Sequence, residues 1–476
     1  MHTAFLPCDS CLSGDLPMKK TGTFKSGIHP LARIHHGKPL SEECAIEVLP
    51  APKIVRIPLS QHIGAPARPT VAEGDYVRIG QIVGEASGFV SAACHASVSG
   101  RVIGIENIPG IMGKMIPAVV IENDFQDTRD ETGPVDYTLL EKEQIIDMIR
   151  YAGIVGMGGA TFPTHVKLSI PADKKVDTFI INAVECEPFL TADHRLMLEY
   201  PEEIVKGTEI ILKALGVDKA YMGIEDNKQN AIVTMTKAAS GHALDVVELK
   251  TKYPQGSEKH LIYAVTGREV PSGGLPADAG CVVSNVATVK AVYDAFCLGH
   301  PLTERVVTVT GSVEKPSNFL VRIGTPLSVL IEAAGGFKGD PMKIISGGPM
   351  MGLPVPSMDC VVVKGTSGLL VLGKEYMKRK ERLTACIQCG KCAQGCPMFL
   401  MPMRIAACAE KEQFETAEKY NALDCINCGS CSYVCPAKRH VSQYVKLAKD
   451  EVMRIRAERK KAEAAKAEAS EDKKKD

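Results

Sequence analysis

Two cysteine runs near the C-terminus have residue types and spacing suited to binding iron–sulfur clusters. Both follow the pattern C-x2-C-x2-C-x3-C-P, by which bacterial ferredoxins hold a pair of 4Fe–4S clusters. The sequence therefore predicts two such clusters and one-electron redox chemistry. The runs are Cys386, Cys389, Cys392 and Cys396, and then Cys425, Cys428, Cys431 and Cys435.

The spacing also predicts which run supplies the fourth ligand of each cluster. Three thiolates two residues apart can wrap three corners of one cubane, whereas the fourth cysteine lies farther along the chain and reaches the other cluster. Zinc knuckles are the alternative, but zinc commonly takes two separated pairs and needs no third C-x2-C step. We expect one cluster on Cys386, Cys389, Cys392 and Cys435, and the other on Cys425, Cys428, Cys431 and Cys396.

Three of the nine cysteines outside the two runs need a separate interpretation. Cys408 lies between the runs and is expected to be a buried free thiol. Cys8 and Cys11 form an isolated C-x2-C pair that lacks partners. Residues 1–17 carry no signal-peptide pattern, and Met18 could be an alternative start. Without export, clustered cysteines indicate metal ligands rather than disulfides.

A glycine-rich segment, Gly156–Pro163, is the second candidate for chemistry. Gly156, Gly158 and Gly159 allow backbone N–H groups to approach an anionic or flat ligand closely. Lys167 could add a positive charge for a phosphate group. The segment follows a predicted helix, unlike a dinucleotide fingerprint, which follows a strand and opens a helix. Taken alone, the loop is therefore a weak indication of a nucleotide site.

The elements that must position this loop alternate between helix and strand over residues 135–300. This alternation predicts a parallel sheet with helices on both faces, a Rossmann-like doubly wound α/β core. Ligands of such sheets bind at the carboxyl ends of the strands. Helices are predicted at 139–152, 201–215 and 228–239, and strands at 179–184, 220–224 and 244–249.

Two smaller units flank the core. Residues 44–125 are similar to a lipoyl or biotinyl β-barrel, in which an exposed hairpin carries a modified lysine. Here the hairpin Ala93–Ser97 has no lysine, so we expect a structural role, with Cys94 and His95 as a metal pair as the alternative. Residues 305–372 predict a β-grasp-like (SLBB-like) unit, with strands at 306–310, 320–323 and 343–346 and a helix at 326–334.

Composition excludes several classes of protein. The 476 residues include 56 basic and 56 acidic side chains and no Trp, which argues against a nucleic-acid-binding protein. The longest apolar stretch, 103–121, is interrupted by Glu106 and Lys114, so no membrane-spanning helix is expected. The predicted organisation is multidomain α/β: an N-terminal segment 1–43, a barrel 44–125, an α/β domain 135–300, a β-grasp-like domain 305–372, a two-cluster helical domain 375–450 and a charged tail 451–476.

Four motifs in the α/β region resemble those of the NADH-binding subunit of respiratory complex I. Gly156–Lys167 resembles its G-x-G-G-A-x-F-P…K flavin loop, and Asn182–Pro188 resembles its N-A-x-E-x-E-P motif. Gly256–Lys259 and Ser284–Thr288 resemble its third and fourth motifs. With the flanking units, residues 23–446 resemble the RnfC family, a peripheral subunit of the Rnf electron-transport complexes.

One departure from complex I lies in the first motif. Met157 and Thr161 stand where the complex I loop has Arg and Gly. The contact attributed to that arginine is therefore not carried over to this chain.

This resemblance implies that the 135–300 domain is an FMN/NADH-binding domain, with a non-covalent FMN held by the Gly156 loop. For Glu185 and Glu187, capping of a helix that starts near Thr191 is the alternative role, and Gly347–Gly352 is expected to be a turn between modules. The implied cofactor-binding residues are Gly156, Gly158, Gly159, Lys167, Asn182, Asn285 and Thr288, and Glu185, Glu187 and Glu258 would lie where NADH stacks on the flavin.

The function that the resemblance implies is that of an oxidoreductase subunit facing NAD(H). It would pass electrons between NAD(H), FMN and two 4Fe–4S clusters, while integral membrane and ferredoxin-type partner subunits couple this flow to ferredoxin and to Na⁺ or H⁺ transport. The chain would lie peripherally on the cytoplasmic side of the cell membrane, contacting it through those partners. A corrinoid (cobalamin) reductase of a bacterial microcompartment and a flavin-less electron-carrier scaffold are the alternatives.

Overall fold

The computed structural model describes residues 22–30, 37–130, 132–376 and 383–472 of the chain. The expectations for residues 1–17, including Cys8 and Cys11, lie outside the described residues. Within the described part, no helix is long and apolar enough to cross a membrane.

The barrel region is a sandwich of two small antiparallel sheets. One sheet has the order β2–β8–β7–β4 and the other has the order β3–β5–β6. Val55 and Ile57 of β2 alternate inward and meet Val83 of β5 and Val102 of β7 in one apolar core. The strands are β1 (Ile46–Val48), β2 (Ile54–Pro58), β3 (Arg68–Pro69), β4 (Tyr76–Val77), β5 (Ile82–Glu85), β6 (Cys94–His95), β7 (Gly100–Pro109) and β8 (Met115–Asn123).

The Ala93–Ser97 hairpin is buried, in contrast to the exposed hairpin of lipoyl barrels. The Ser97 hydroxyl donates to the Ile323 carbonyl (2.6 Å), and the buried Lys364 ammonium donates to the Ala93 carbonyl (2.5 Å). The hairpin is therefore a contact between the barrel and the rest of the chain, as expected for a structural role.

The α/β core contains a four-stranded parallel sheet in the order β11–β10–β9–β12, as the alternating pattern predicted. The predicted helix at 201–215 has the observed bounds of α4, which begins with Pro201 and ends before Gly216. The elements are α1 (Lys142–Tyr151), α2 (Thr164–Leu168), β9 (Thr178–Asn182), α3 (Ala192–Glu199), α4 (Pro201–Leu215), β10 (Ala220–Glu225), α5 (Gln229–Ala238), β11 (Leu244–Leu249), α6 (Glu258–Thr266), β12 (Cys281–Asn285) and α7 (Val286–Cys297).

The third unit is a six-stranded mixed sheet in the order β1–β14–β13–β17–β15–β16, covered by one helix. Strand β1 lies inside the range predicted for the barrel, but it pairs in parallel with β14. The barrel and the α/β core thus both lie in sequence between the first strand of this sheet and the rest. The further elements are β13 (Glu304–Gly311), β14 (Ser317–Arg322), α8 (Leu327–Ala333), β15 (Lys343–Ser346), β16 (Leu353–Pro354) and β17 (Gly368–Leu372).

The cysteine runs lie in a helical unit whose two halves repeat the same backbone. Gly390 and Gly429 are left-handed residues before α9 and α12, with φ values of +73° and +76°. Gln388 and Asn427 are also left-handed, at +55° and +56°. The helices are α9 (Lys391–Gln394), α10 (Pro402–Glu410), α11 (Phe414–Lys419), α12 (Ser430–Tyr433) and α13 (Val441–Asp472), and α13 continues through most of the predicted charged tail.

Gly207 provides a test of how closely α4 and α7 pack. A Cβ at this position would lie 2.2 Å from the Val289 carbonyl oxygen, so Gly207→Ala should force the helices apart. We expect it to destabilise the protein by about 1–3 kcal/mol, in spite of the better helix propensity of Ala. Thermal unfolding would measure this, with Gly88→Ala, where a Cβ meets nothing within 4 Å, as the control. Equal unfolding midpoints for the two variants would contradict this packing.

Candidate functional site

The Gly156–Pro163 loop is anchored at the start of α7, beside the carboxyl ends of β9 and β12. The Met157 N–H donates to Thr288 Oγ1 (2.9 Å), and the Met157 carbonyl accepts from the buried Arg305 (2.8 Å). A Cβ on Gly158 would lie 3.3 Å from the Asn285 side chain. The loop, Asn285 and Thr288 therefore form one cluster at this edge of the sheet.

The open side of this loop fits an anionic or flat ligand. Gly158 and Gly159 are exposed, and a Cβ on Gly159 would meet nothing within 4 Å. Backbone N–H groups and the N-terminus of the twelve-residue α7 are the donors that phosphate groups prefer. The residues present thus fit the phosphate end of FMN.

Lys167 and Glu258 form an ion pair at the same edge. Lys167 Nζ lies 2.5 Å from Glu258 Oε1 and 2.8 Å from the Val283 carbonyl oxygen. Asn182 donates to the Gly256 carbonyl (2.8 Å), directly before the segment that carries Glu258. The predicted site residues of the first three motifs therefore converge on this edge of the sheet.

Asn285 links the fourth motif to α3. Its Oδ1 accepts from the Ala287 N–H (2.9 Å) as the N-cap of α7, and its Nδ2 donates to Asp193 Oδ2 (2.7 Å). Burial, followed by the nearby Glu185 carboxylate, raises the pKa of Asp193 to about 6. Sequence reasoning missed Asp193, although its place in the first turn of a helix is a common position for a functional carboxylate.

Glu185 caps α3, the alternative role that the sequence left open. Its Oε1 accepts from the Asp193 N–H (2.8 Å), and its backbone is left-handed, with φ of +47°. Glu187 has a different partner, because its two carboxylate oxygens accept from the N–H groups of Met350 (3.1 Å) and Met351 (2.9 Å). Both carboxylates are therefore held by the protein itself.

The Glu187 contacts revise the expectation for Gly347–Gly352. This segment is the turn that joins β15 to β16 within one sheet, rather than a connection between modules. Because N–H groups of this turn donate to Glu187, the turn contacts the α/β core.

The departures from the complex I loop have visible structural consequences. Met157 is buried, with 4% of its surface exposed, so its side chain belongs to the core rather than to an open site. Thr161 has φ of +55°, a left-handed backbone that is uncommon for a β-branched residue. Its side chain lies against Gly365, where a Cβ would approach Thr161 Oγ1 to 2.4 Å.

The eight cysteines of the two runs form two groups. Cys386, Cys389 and Cys392 line one hollow together with Cys435 from the other run. In the second group, burial raises the pKa of the Cys431 thiol, and so do the neighbouring thiols of Cys425, Cys428 and Cys396. Each group contains three cysteines of one run and the last cysteine of the other, and four thiols form a donor set suited to a cubane.

Two further observations concern cysteines and metals. Cys408 is buried in the helical unit, as expected. Among the described residues, no three His, Cys, Asp or Glu side chains are close enough together to hold a single metal ion. The thiols of a 4Fe–4S cluster bind separate irons at its corners, so they stand farther apart than the ligands of one ion.

The second cysteine group lies against the α/β core. The buried Tyr253 hydroxyl donates to the Cys428 carbonyl (2.8 Å), and a Cβ on Gly429 would lie 2.9 Å from the Met350 carbonyl oxygen. Cys186, between Glu185 and Glu187, packs in the same apolar cluster. Sequence reasoning missed Tyr253 and Met350, because neither belongs to a recognisable motif.

Glu187 provides a pH test of this site. Burial raises the pKa of its carboxyl from 4.5 to about 7, so the folded state keeps a proton that the unfolded state releases. Its ionisation therefore lowers the free energy of unfolding as pH rises from about 4.5 to 7, by up to about 3 kcal/mol. Glu187→Gln removes this dependence, so the variant should gain stability relative to the wild type across that range. Thermal unfolding of both between pH 5 and 8 would measure it, and parallel curves would contradict the raised pKa.

Comparison with known protein families matches four parts of the chain. The matched family models are the RnfC barrel sandwich hybrid domain (22–126), the Nuo51 FMN-binding domain (149–294), the SLBB domain (306–354) and the 4Fe-4S dicluster domain (385–438). These matches confirm the predicted barrel, flavin-type α/β core, β-grasp-like unit and two-cluster unit.

Two solved structures match parts of this chain at low overall similarity. They are those of an NAD⁺-reducing NiFe hydrogenase in the air-oxidised and H₂-reduced states, with TM-scores of 0.45 and 0.48 and identities of 24% and 20%. The matches cover 60% and 68% of this chain, and they span 54% and 65% of the hydrogenase chains.

Two curated relatives match almost end to end. The C subunit of the proton-translocating ferredoxin:NAD⁺ oxidoreductase complex of Clostridium ljungdahlii is 50% identical over 444 residues, covering 92% of this chain and 96% of the relative. The corresponding protein of the Na⁺-translocating complex of Acetobacterium woodii is 49% identical over 438 residues, covering 91% and 98%. The chain therefore belongs to the RnfC family of subunits of the ion-translocating ferredoxin:NAD⁺ oxidoreductase complexes.

Proposed function

We propose that this chain is the NAD(H)-facing subunit of an ion-translocating ferredoxin:NAD⁺ oxidoreductase complex. It passes electrons between NAD(H), FMN and two 4Fe–4S clusters, and its partner subunits couple this flow to ferredoxin and to Na⁺ or H⁺ transport. The observation that carries the proposal is that both redox sites lie against the same α/β core: the flavin loop is held by Thr288, and the second cysteine group contacts the core through Tyr253.

The chain attaches peripherally to the membrane complex, on the cytoplasmic side. Its family consists of subunits of membrane complexes, and the described residues include no membrane-spanning helix. The cytoplasmic side is the one on which NAD(H) is available, which supports this orientation.

FMN is held at the carboxyl edge of the sheet by the Gly156 loop, the N-terminus of α7 and Lys167. When bound, the flavin supplies a group that exchanges electron pairs with NAD(H) and single electrons with the clusters. Lys167 is only partly buried, with 26% of its side chain exposed, so it can turn from Glu258 toward a phosphate. Asn285 keeps α7 capped, and Asn182 keeps the Gly256 segment in place.

The three glutamates have different tasks in this proposal. Glu258 has 43% of its side chain exposed and is free to contact the dinucleotide. Glu185 and Glu187 are largely buried and already hydrogen-bonded, so they shape the NADH side of the site by holding α3 and the Met350 turn.

Each cluster takes three ligands from one cysteine run and the fourth from the other run. The grouping of Cys435 with the first run and of Cys396 with the second run supports this crossed ligation. The first group also contains the exposed Cys386 and Cys389, so it is the one that faces a partner subunit.

Lys167→Ala tests the flavin site. The change removes one charge-assisted phosphate contact, of about 1.5–3 kcal/mol, so the Kd for FMN should rise roughly 10- to 150-fold. Titration of the apo-flavoprotein followed by flavin fluorescence would measure it. Lys219→Ala is the matched control, because Lys219 forms an ion pair (2.6 Å to Asp245) at the opposite edge of the sheet.

The same variants test whether NADH first reduces FMN and the clusters receive electrons only afterwards. Oxidation of NADH with ferricyanide should proceed without partner subunits and survive Cys389→Ala in large part, whereas Lys167→Ala should regain it only with excess FMN. If Lys167→Ala bound FMN as tightly as Lys219→Ala, the assignment of Lys167 would be wrong.

Paired cysteine variants test the crossed ligation. The wild type should bind about eight irons after anaerobic reconstitution, and each cluster lost should remove about four. Cys389→Ala/Cys435→Ala should lose no more iron than Cys389→Ala alone, because both changes affect one cluster. Cys389→Ala/Cys396→Ala should lose both clusters, and Cys408→Ala should lose neither. The reverse result for the two double variants would show that each run keeps its own fourth cysteine.

A further inference from the structure

We propose that Lys38, from the segment that precedes the barrel, is a positioning residue for the NADH side of the site. The inference rests on the proposed function of the turn Glu185–Leu190, whose two ends Lys38 holds. Lys38 lies far outside residues 149–294, which match the FMN-binding domain, and thus completes that domain from elsewhere in the chain.

The Lys38 ammonium bridges the two ends of this turn. Its Nζ donates to the Glu185 carbonyl (2.9 Å) and to the Leu190 carbonyl (2.5 Å), and it lies 3.5 Å from Glu185 Oε2. The residue is 3% exposed, although it belongs to one of the residue types that are almost never fully buried unless paired. A single buried cation therefore satisfies the backbone at the beginning and at the end of the turn.

The turn needs such support because its backbone is strained. Glu185 and Phe189 are left-handed, with φ values of +47° and +71°. Conformations of this kind in non-glycine residues persist only where the surrounding structure holds them. Gly37 contributes as well, because a Cβ there would lie 1.9 Å from the Phe189 ring. Gly37 thus leaves room for the ring, while Lys38 binds the two carbonyl groups of the same turn.

Lys38 also compensates the negative charge of the Glu185 side chain. The Glu185 side chain is buried beside the half-buried Asp193, and Lys38 forms its ion pair, while the buried Arg305 also acts on both carboxyl groups. Lys228, the other buried lysine here, donates to the Val184 carbonyl (2.9 Å) and pairs instead with Glu225 (3.5 Å). Removing Lys38 would leave Glu185 without that cation, and a buried unpaired carboxylate favours movement toward water.

The consequence should be larger on the NADH side than at the flavin loop, which Glu185 reaches indirectly through Asp193 and Asn285. The flavin loop has its own anchors in Thr288 and Arg305, neither of which is a hydrogen-bond partner of Lys38. Glu185 and Glu187, by contrast, lie on the turn itself. Loss of Lys38 should therefore weaken NADH binding while FMN stays bound.

Lys38→Met tests the inference, because Met keeps much of the length and removes the charge and the donors. We expect KM for NADH in the ferricyanide assay to rise about tenfold to a hundredfold, with kcat changed little. Flavin and iron content should equal those of the wild type. Lys38→Arg, which keeps the charge, should recover part of the affinity, and the neutral Lys38→Gln carries the same test if Lys38→Met does not fold.

Lys364→Met is the matched control. Lys364 is also fully buried and donates to two carbonyl groups, of Ala93 (2.5 Å) and Gly153 (2.6 Å), at the barrel contact. It should lower the unfolding temperature without changing KM for NADH. If Lys38→Met, or Lys38→Gln in its place, kept the wild-type KM, Lys38 would serve stability alone and the inference would be wrong. A wild type that does not oxidise NADH would instead overturn the proposed function.

Discussion

The in-register parallel pairing of β9 with β12 is the constraint on which the candidate site depends. It places Asn182 opposite Asn285 at the last step of both strands, so the motifs that follow each strand begin at the same edge. The flavin loop is held at this edge because Met157 is pinned to Thr288, in the first turn of α7. A shift of one residue in this register would move every side chain of β12 to the other face and separate the motifs.

The cluster unit is tied to this edge through contacts that are remote in sequence. Residues 22–30 run between the two units: Ile28 pairs with Tyr253 of the core, and the Ser26 hydroxyl donates to the Cys396 carbonyl (3.1 Å). Tyr253 in turn donates to the Cys428 carbonyl. The N-terminal segment therefore contacts both the core and the helical cysteine unit, and it helps to fix the position of a residue 370 positions away in sequence.

The sequence predicts elements best where several local signals agree. Helix α4 has a Pro at its first turn, an apolar stripe and a Gly after its last residue, and its bounds are predicted correctly. Strand β12 and helix α6 are not predicted, because runs of five and nine residues contain too little of either periodicity. Motif residues such as Glu258 can be named, since they resemble a known family. Lys38 and Lys364 cannot, because their partners are set by tertiary packing across 147 and 271 residues.

The separation of β1 from the rest of its sheet by the barrel and the α/β core has a consequence for the order of events during synthesis. The backbone next to β1 cannot form its native contacts until a residue 277 positions later has been synthesised, because the Asn318 side chain donates to the Ser41 carbonyl. At about 5–20 residues per second, the ribosome needs roughly 14–55 s to make that stretch. During this interval β1 is an unpaired edge that other chains could add to. Its length of three residues, two of them exposed even in the finished sheet, makes it a poor template for such addition.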